Sequence, residues 1–226
     1  MIRRTLVALV LLSALPATAA APSAEPSGEE MTRLRAGETL VEMADEGGGS
    51  ARRLLDADPG RLFRAAADWA HYDEFFPFVR TSSAEVDGEG GVLAHQTIDV
   101  PWPYSDRSFT ATTRWSITPT ESAGTFRARV AWAHVPGSGD VLENRGEWRF
   151  SELAAGGTLV EIQLVSDLDG VPASFERRAL AETLPYVIDG LRQQANRCRY
   201  DLPRHPTCGE EAPLPDVGAA VEGTKR

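Results

Sequence analysis

The chain has 226 residues, 42% hydrophobic and 25% charged, a composition that supports one medium domain with extensions or at most two small ones. With 23 basic residues against 33 acidic ones, the net charge is −10. That balance excludes the broad basic footprint of a nucleic-acid binder, and it leaves only a local patch to attract an anionic membrane.

Residues 1–19 have the pattern of a cleavable export signal. Arg3 and Arg4 form a short basic start, Leu6 to Leu15 is a compact apolar run, and Ala17-Thr18-Ala19 supplies small residues for cleavage. The apolar run is too short to remain as a spanning helix. A secreted or periplasmic address is therefore expected. Residues 20–37, rich in Ala, Pro, Ser and Glu, read as a flexible linker.

The domain itself is expected over 38–200. Gly37–Ala57 suggests a first strand interrupted at Gly47-Gly-Gly49 by a bulge or loop. Pro59 and Gly60 open a helical stretch on which Leu62, Phe63, Ala66, Ala67 and Ala70 recur at helical spacing. Trp69, Tyr72, Phe75, Phe76 and Phe78 cluster where that helix ends, as a candidate lid or a tip for transient membrane contact.

Strand signals then run for about a hundred residues. Asp87-Gly-Glu-Gly-Gly91 reads as a hairpin loop. One face is set by Phe109, Ala111, Thr113, Trp115 and Ile117. The next segments repeat the alternation with Phe126, Ala128, Val130, Trp132 and His134, with Leu142, Asn144, Gly146, Trp148 and Phe150, and with Val160, Ile162 and Leu164. Period-two patterning in four successive segments implies an antiparallel sheet with one wet and one apolar face.

Pro172–Arg199 is the longest helical pattern, with Phe175, Ala179, Leu180, Thr183, Leu184, Val187, Ile188 and Leu191 on one stripe. Glu176 falls among the charged residues of the other face, and Pro185 is expected to kink the helix or force a register adjustment. Residues 201–226 form a tail. The two cysteines, Cys198 and Cys208, suit a bridge stapling that tail to the helix end, worth on the order of 2–3 kcal/mol in the chain-entropy picture. With only His205 between them they do not complete a tetrahedral metal site.

Several short motifs stand in a telling order. They are Ala57-Asp-Pro-Gly-Arg-Leu-Phe63, Asp68-Trp69 with Tyr72 and Phe76-Pro77, Pro103-Tyr-Ser-Asp-Arg-Ser-Phe109, Gly146-Glu-Trp148, Gly157-Thr158 and Gly170-Val-Pro172. Together they resemble the START-type lipid-binding domains of the helix-grip superfamily, which also holds polyketide cyclases and quinone-binding relatives. Ser108 stands where those domains commonly have an acidic residue. The resemblance implies an α+β fold, a curved antiparallel sheet wrapped around a long C-terminal helix, with an internal hydrophobic cavity. It names no ligand.

On that basis Trp102, Phe109, Trp115, Val130, Trp132, Trp148, Ile162, Leu184 and Ile188 are candidate cavity wall, although the same residues serve equally as core. Arg107, His134 and Asn144 are candidate polar contacts to a ligand head group. Asp106–Arg107 reads either as a polar gate or as a plain strand-entrance ion pair, and His134 either as a functional imidazole or as a strand end before Pro136. No nucleophile elbow, zinc-protease pair, phosphate loop or dinucleotide fingerprint is present, and His71, His95, His134 and His205 have no ligand spacing. No catalytic residue, cofactor or metal is assigned. The expected function is carriage or sequestration of a lipid, isoprenoid quinone or sterol-like molecule. A cyclase- or dehydratase-like enzyme using the same pocket and a ligand-free interaction domain are the alternatives.

Overall fold

The alternating segments become strands, and the strands share one sheet. A computed structural model describes residues 25–44, 47–88, 90–119 and 126–201. Eight antiparallel strands stand in the order β1-β2-β8-β7-β6-β5-β4-β3. They are β1 Leu40–Met43, β2 Gly48–Leu55, β3 Val79–Val86, β4 Val92–Ile98, β5 Arg107–Pro119, β6 Phe126–His134, β7 Val141–Glu152 and β8 Thr158–Leu168. The helices are α1 Gly28–Arg35, α2 Pro59–Ala67 and α3 Ala173–Ala195, with a 3₁₀ segment at Trp69–Glu74. The sheet is curved and unclosed, and α3 lies in its concave face, the α+β helix-grip arrangement. Strands β3 to β8 form a meander, so α2 and the 3₁₀ segment carry the chain from β2 to the far edge at β3.

Local chemistry sets the helix ends. Asp58 accepts from the Arg61 amide at 2.7 Å and Pro59 is the first residue of α2, a favourable start on both counts. Leu184, Val187, Ile188 and Leu191 of α3 are buried against the sheet, and each such side chain stabilises the packing by roughly 1.5–3 kcal/mol. Despite Pro185, α3 is assigned as one 23-residue helix. Gly49 lets it come close: a Cβ there would stand 2.7 Å from Leu184 Cδ1.

Three expectations are corrected. The glycine cluster does not interrupt one strand: Gly47 precedes β2, Gly48 and Gly49 are its first residues, and β2 pairs with β1 as a hairpin, Leu40 opposite Arg52. Residues 28–35 are helix rather than linker: Ser27 and Glu30 form a capping box, and Leu34 packs with Leu40 and Leu159 on the outer face of the sheet. Leu142 points outward, 59% exposed, because a register shift between Val141 and Glu143 hands the inward position to Val141.

Charges cover the rest of the outer face. Arg52 meets Glu161 at 3.1 Å, and Glu147 is buried between Arg129 and Arg149. Among the described residues no helix is long and apolar enough to cross a membrane. The expected export signal at 1–19, Cys208 and the tail after residue 201 lie outside the described residues.

Candidate functional site: a cavity under the long helix

A cavity of about 310 Å³ lies between the sheet and the N-terminal half of α3. Trp132, Asn144, Leu164 and Leu168 form its floor on β6, β7 and β8, and Phe175, Ala179, Leu184 and Val187 of α3 form its roof. Trp69, Tyr72 and Phe76 close one side. The exposed lining residues Phe78, Asp99, Pro101, Arg178 and Glu182 mark the mouth. The walls are mostly apolar, which suits removal of hydrophobic surface from water.

The aromatic side wall is rigid. Trp69 and Tyr72 stack at 4.1 Å, and Trp69 meets Trp132 edge-on at 5.4 Å. Trp148 Nε1 donates to the Tyr72 hydroxyl at 3.1 Å, and that hydroxyl donates to the Ala66 carbonyl at 2.6 Å. Burial pushes the Tyr72 hydroxyl well above its usual range, so it stays protonated and holds this chain of bonds. The indole of Trp132 needs a partner bare of side-chain bulk. At Gly146 of β7, any Cβ would fall 2.4 Å from the Trp132 ring and 2.3 Å from the Gln163 carbonyl oxygen.

Besides the charged residues at the mouth, five polar side chains reach the wall, one of them Thr183, whose hydroxyl donates to the Ala179 carbonyl at 2.6 Å. Trp132 Nε1 donates to Asn144 Oδ1 at 2.8 Å, with both residues buried. Gln96 Nε2 donates to Ser82 Oγ at 3.2 Å, and Ser82 in turn donates to the Trp69 carbonyl at 2.5 Å. Ser166 lies opposite Asn144 in the β7–β8 register. Glu176 accepts from the Leu168 amide at 3.1 Å through Oε1, while Oε2 has no hydrogen-bond partner among the described residues. Burial raises the Glu176 carboxyl above its ordinary value, outweighing the Leu168 bond, and the neighbouring Asp167 adds to the rise.

The structure sorts the residues singled out from the sequence. Trp132, Asn144 and Leu184 line the cavity. Phe109, Val130, Trp148, Ile162 and Ile188 are buried in the same core but do not line it, and Trp115 packs half-buried against that core. Trp102 is 90% exposed in the β4–β5 loop, so it contributes no wall. His134 is half-buried at the end of β6, opposite Ala111 and away from the cavity.

Arg107 is a brace. Its Nη2 donates to the Asp169 carbonyl at 2.7 Å and its Nη1 to the Ser105 carbonyl at 2.7 Å, joining the β4–β5 loop to the turn before α3. Asp106 pairs with Arg80 at 2.5 Å, so the strand-entrance ion pair read at Asp106–Arg107 does not form between those two side chains.

Sequence reasoning missed Gln96 and Glu176 as cavity residues and placed Trp69 and Tyr72 in an exposed lid or membrane-touching tip, whereas both are buried wall. Helical spacing put Glu176 on the polar face; only the position of the β8–α3 turn reveals that its carboxyl folds back on Leu168. The described residues contain no cluster of three or more His, Cys, Asp or Glu able to hold a metal ion.

No family model matches the sequence, and no curated protein matches it. Solved structures do. A STAR-related lipid transfer protein fragment from Xanthomonas axonopodis is similar at 16% identity and a TM-score of 0.56, over 70% of this chain and 99% of that one. Human STARD10 is similar at 9% identity and a TM-score of 0.56, over 80% of this chain and 85% of that one. The Zhui aromatase/cyclase from Streptomyces matches at 15% identity and a TM-score of 0.46, over 69% of this chain and 92% of that one. The chain thus has the START-type helix-grip fold, and at these identities the likeness speaks for the fold alone.

Proposed function

We propose that this protein binds a small hydrophobic molecule in the cavity beneath α3, and carries or sequesters it outside the cytoplasm. The observation that carries this reading is the cavity itself, about 310 Å³, with aromatic and aliphatic walls and one mouth edged by Phe78 and Pro101. Its size suits a compact ligand such as an isoprenoid quinone head, a sterol-like ring system or a single acyl chain. The fold shared with a lipid-transfer protein fragment and the export-signal pattern of residues 1–19 support the same reading. Affinity would come from apolar area removed from water, about 25 cal/mol per Å² before ordering costs.

In this reading the mouth touches a membrane transiently while ligand exchanges. Phe78 is 46% exposed and Trp102 is 90% exposed, and they stand on adjoining loops joined by the Asp99 amide, which donates to the Phe78 carbonyl at 2.7 Å. A Cys198–Cys208 bridge would secure the tail in that compartment.

Native mass spectrometry of protein purified from its own cell envelope tests the reading, with solvent extraction of whatever is bound. One mass adduct per chain, released as a hydrophobic compound, is the expected result. Protein that stays empty and fails to take up N-phenyl-1-naphthylamine, a fluorescent apolar probe, would overturn it in favour of a ligand-free interaction domain. Release of a chemically altered substrate would instead point to an enzyme.

A further inference from the structure

The cavity carries a polar instruction besides its apolar walls. The indole N–H of Trp132 can only donate, so the atom of Asn144 it meets at 2.8 Å must be the amide oxygen. That fixes the orientation of the amide and leaves its nitrogen, with two N–H donors, as the end available to the cavity that Asn144 lines. Asn144 is 7% exposed, and its Nδ2 has no hydrogen-bond partner among the described residues. That nitrogen faces the cavity, where water can reach it, so a ligand that displaces the water gains if it supplies an acceptor in its place, relative to one that does not.

Gln96 also reaches the cavity wall, from β4. Gln96 is oriented by comparable logic, because Ser82 donates to the Trp69 carbonyl and must therefore accept from Gln96 Nε2. Leu164, Leu168 and Leu184 surround these amides with hydrocarbon, which strengthens a hydrogen bond made there. Asn144 lies on the regular part of β7, opposite Ser166, so its position is set by the sheet rather than by a loop.

We propose that Asn144 Nδ2 donates to a carbonyl oxygen of the bound molecule, so that the cavity selects ketones, quinones or esters over hydrocarbons of the same shape. This rests on the reading of the cavity as a ligand site. A carbonyl accepts from the amide without donating, and its flat shape fits against the Trp69–Trp132 wall. Trp132 holds the amide in the required orientation.

The test uses two probes with the same number of heavy atoms, 2-acetylnaphthalene and 2-isopropylnaphthalene, each displacing N-phenyl-1-naphthylamine from the full-length mature protein. Because a freed indole N–H would itself donate to the ketone, the variants compared are W132F and W132F/N144L. Adding N144L is expected to weaken the ketone about tenfold, the effect of losing one hydrogen bond, while the hydrocarbon changes by no more than about twofold. Equal changes for both probes would overturn the proposal and leave the cavity standing.

If neither probe binds the wild-type protein, the ligand-site reading fails first. A measurement on the unmutated protein removes any dependence on how the variants fold. The infrared carbonyl stretch of bound 2-acetylnaphthalene is expected below its position in hexane, and a band at the hexane position would also overturn the proposal.

Discussion

Glu176 holds its carboxyl where water is scarce, one oxygen on the Leu168 amide and the other without a protein partner. Burial raises its folded-state pKa above the ordinary 4.5, so the native state binds that proton more tightly than the unfolded chain does. The sign follows directly. This stabilisation is complete below the unfolded value and is lost as pH rises through the raised folded value. Glu176→Gln keeps an oxygen for the Leu168 amide and removes the ionisation. The melting temperature of E176Q relative to wild type is therefore expected to climb as pH rises from the ordinary carboxyl value of 4.5 through the raised folded one. Taking the difference cancels every other titrating group. A flat difference, or one favouring wild type as pH rises, would mean that an unseen cation or ligand stabilises the carboxylate.

At the scale of elements, α1 is where composition misleads. Ala, Pro, Ser and Glu suggest a linker, yet Ser27 and Glu30 stand at the spacing of a capping box and the structure forms both of its bonds. Leu34 alone on this helix is buried, 1% exposed against Leu40 and Leu159. Leu34→Ala is expected to cost about 2–3 kcal/mol in urea unfolding, whereas Arg35→Ala at the exposed end should stay within about 0.5 kcal/mol. Equal and negligible effects would return residues 28–35 to the status of a linker.

The strands were far more legible, because β5, β6 and β8 turn one face to the core and the alternation survives in the residue types. Where a bulge enters, as at Val141 and Leu142, a period-two reading must fail for the residues on one side of it. The candidate site was only partly legible for a related reason. Alternation says that Trp132, Asn144 and Trp148 point inward but not which of them border empty space. Trp148 is instead consumed by its bond to Tyr72, while Trp132 and Asn144 meet each other at the wall. Glu176 and Gln96 were hidden because polar residues on an amphipathic pattern are ordinarily solvent-facing.

For the whole molecule, the net charge of −10 and the position of the aromatic residues argue for one kind of membrane contact over another. Attraction to anionic lipid needs a basic patch, and the arginines near the mouth are already paired: Arg80 with Asp99 and Asp106, and Arg178 with Glu182. Phe78 and Trp102 carry exposed apolar surface beside the same opening, so insertion of side chains is the available mechanism. Sedimentation with phosphatidylcholine vesicles is expected to bring down a measurable fraction of the protein, and F78A/W102A should lower that partition by about tenfold, as two partly inserted aromatics imply. Adding phosphatidylglycerol should weaken binding of this acidic chain at low salt, and added salt should restore it. Because neither side chain lies in the core, the double variant should keep its melting temperature, and W102A alone, outside the cavity lining, should keep its uptake of N-phenyl-1-naphthylamine while losing part of the vesicle partition. Unchanged partition in F78A/W102A, or binding that rises with anionic lipid, would remove the aromatic rim as the membrane-contacting surface.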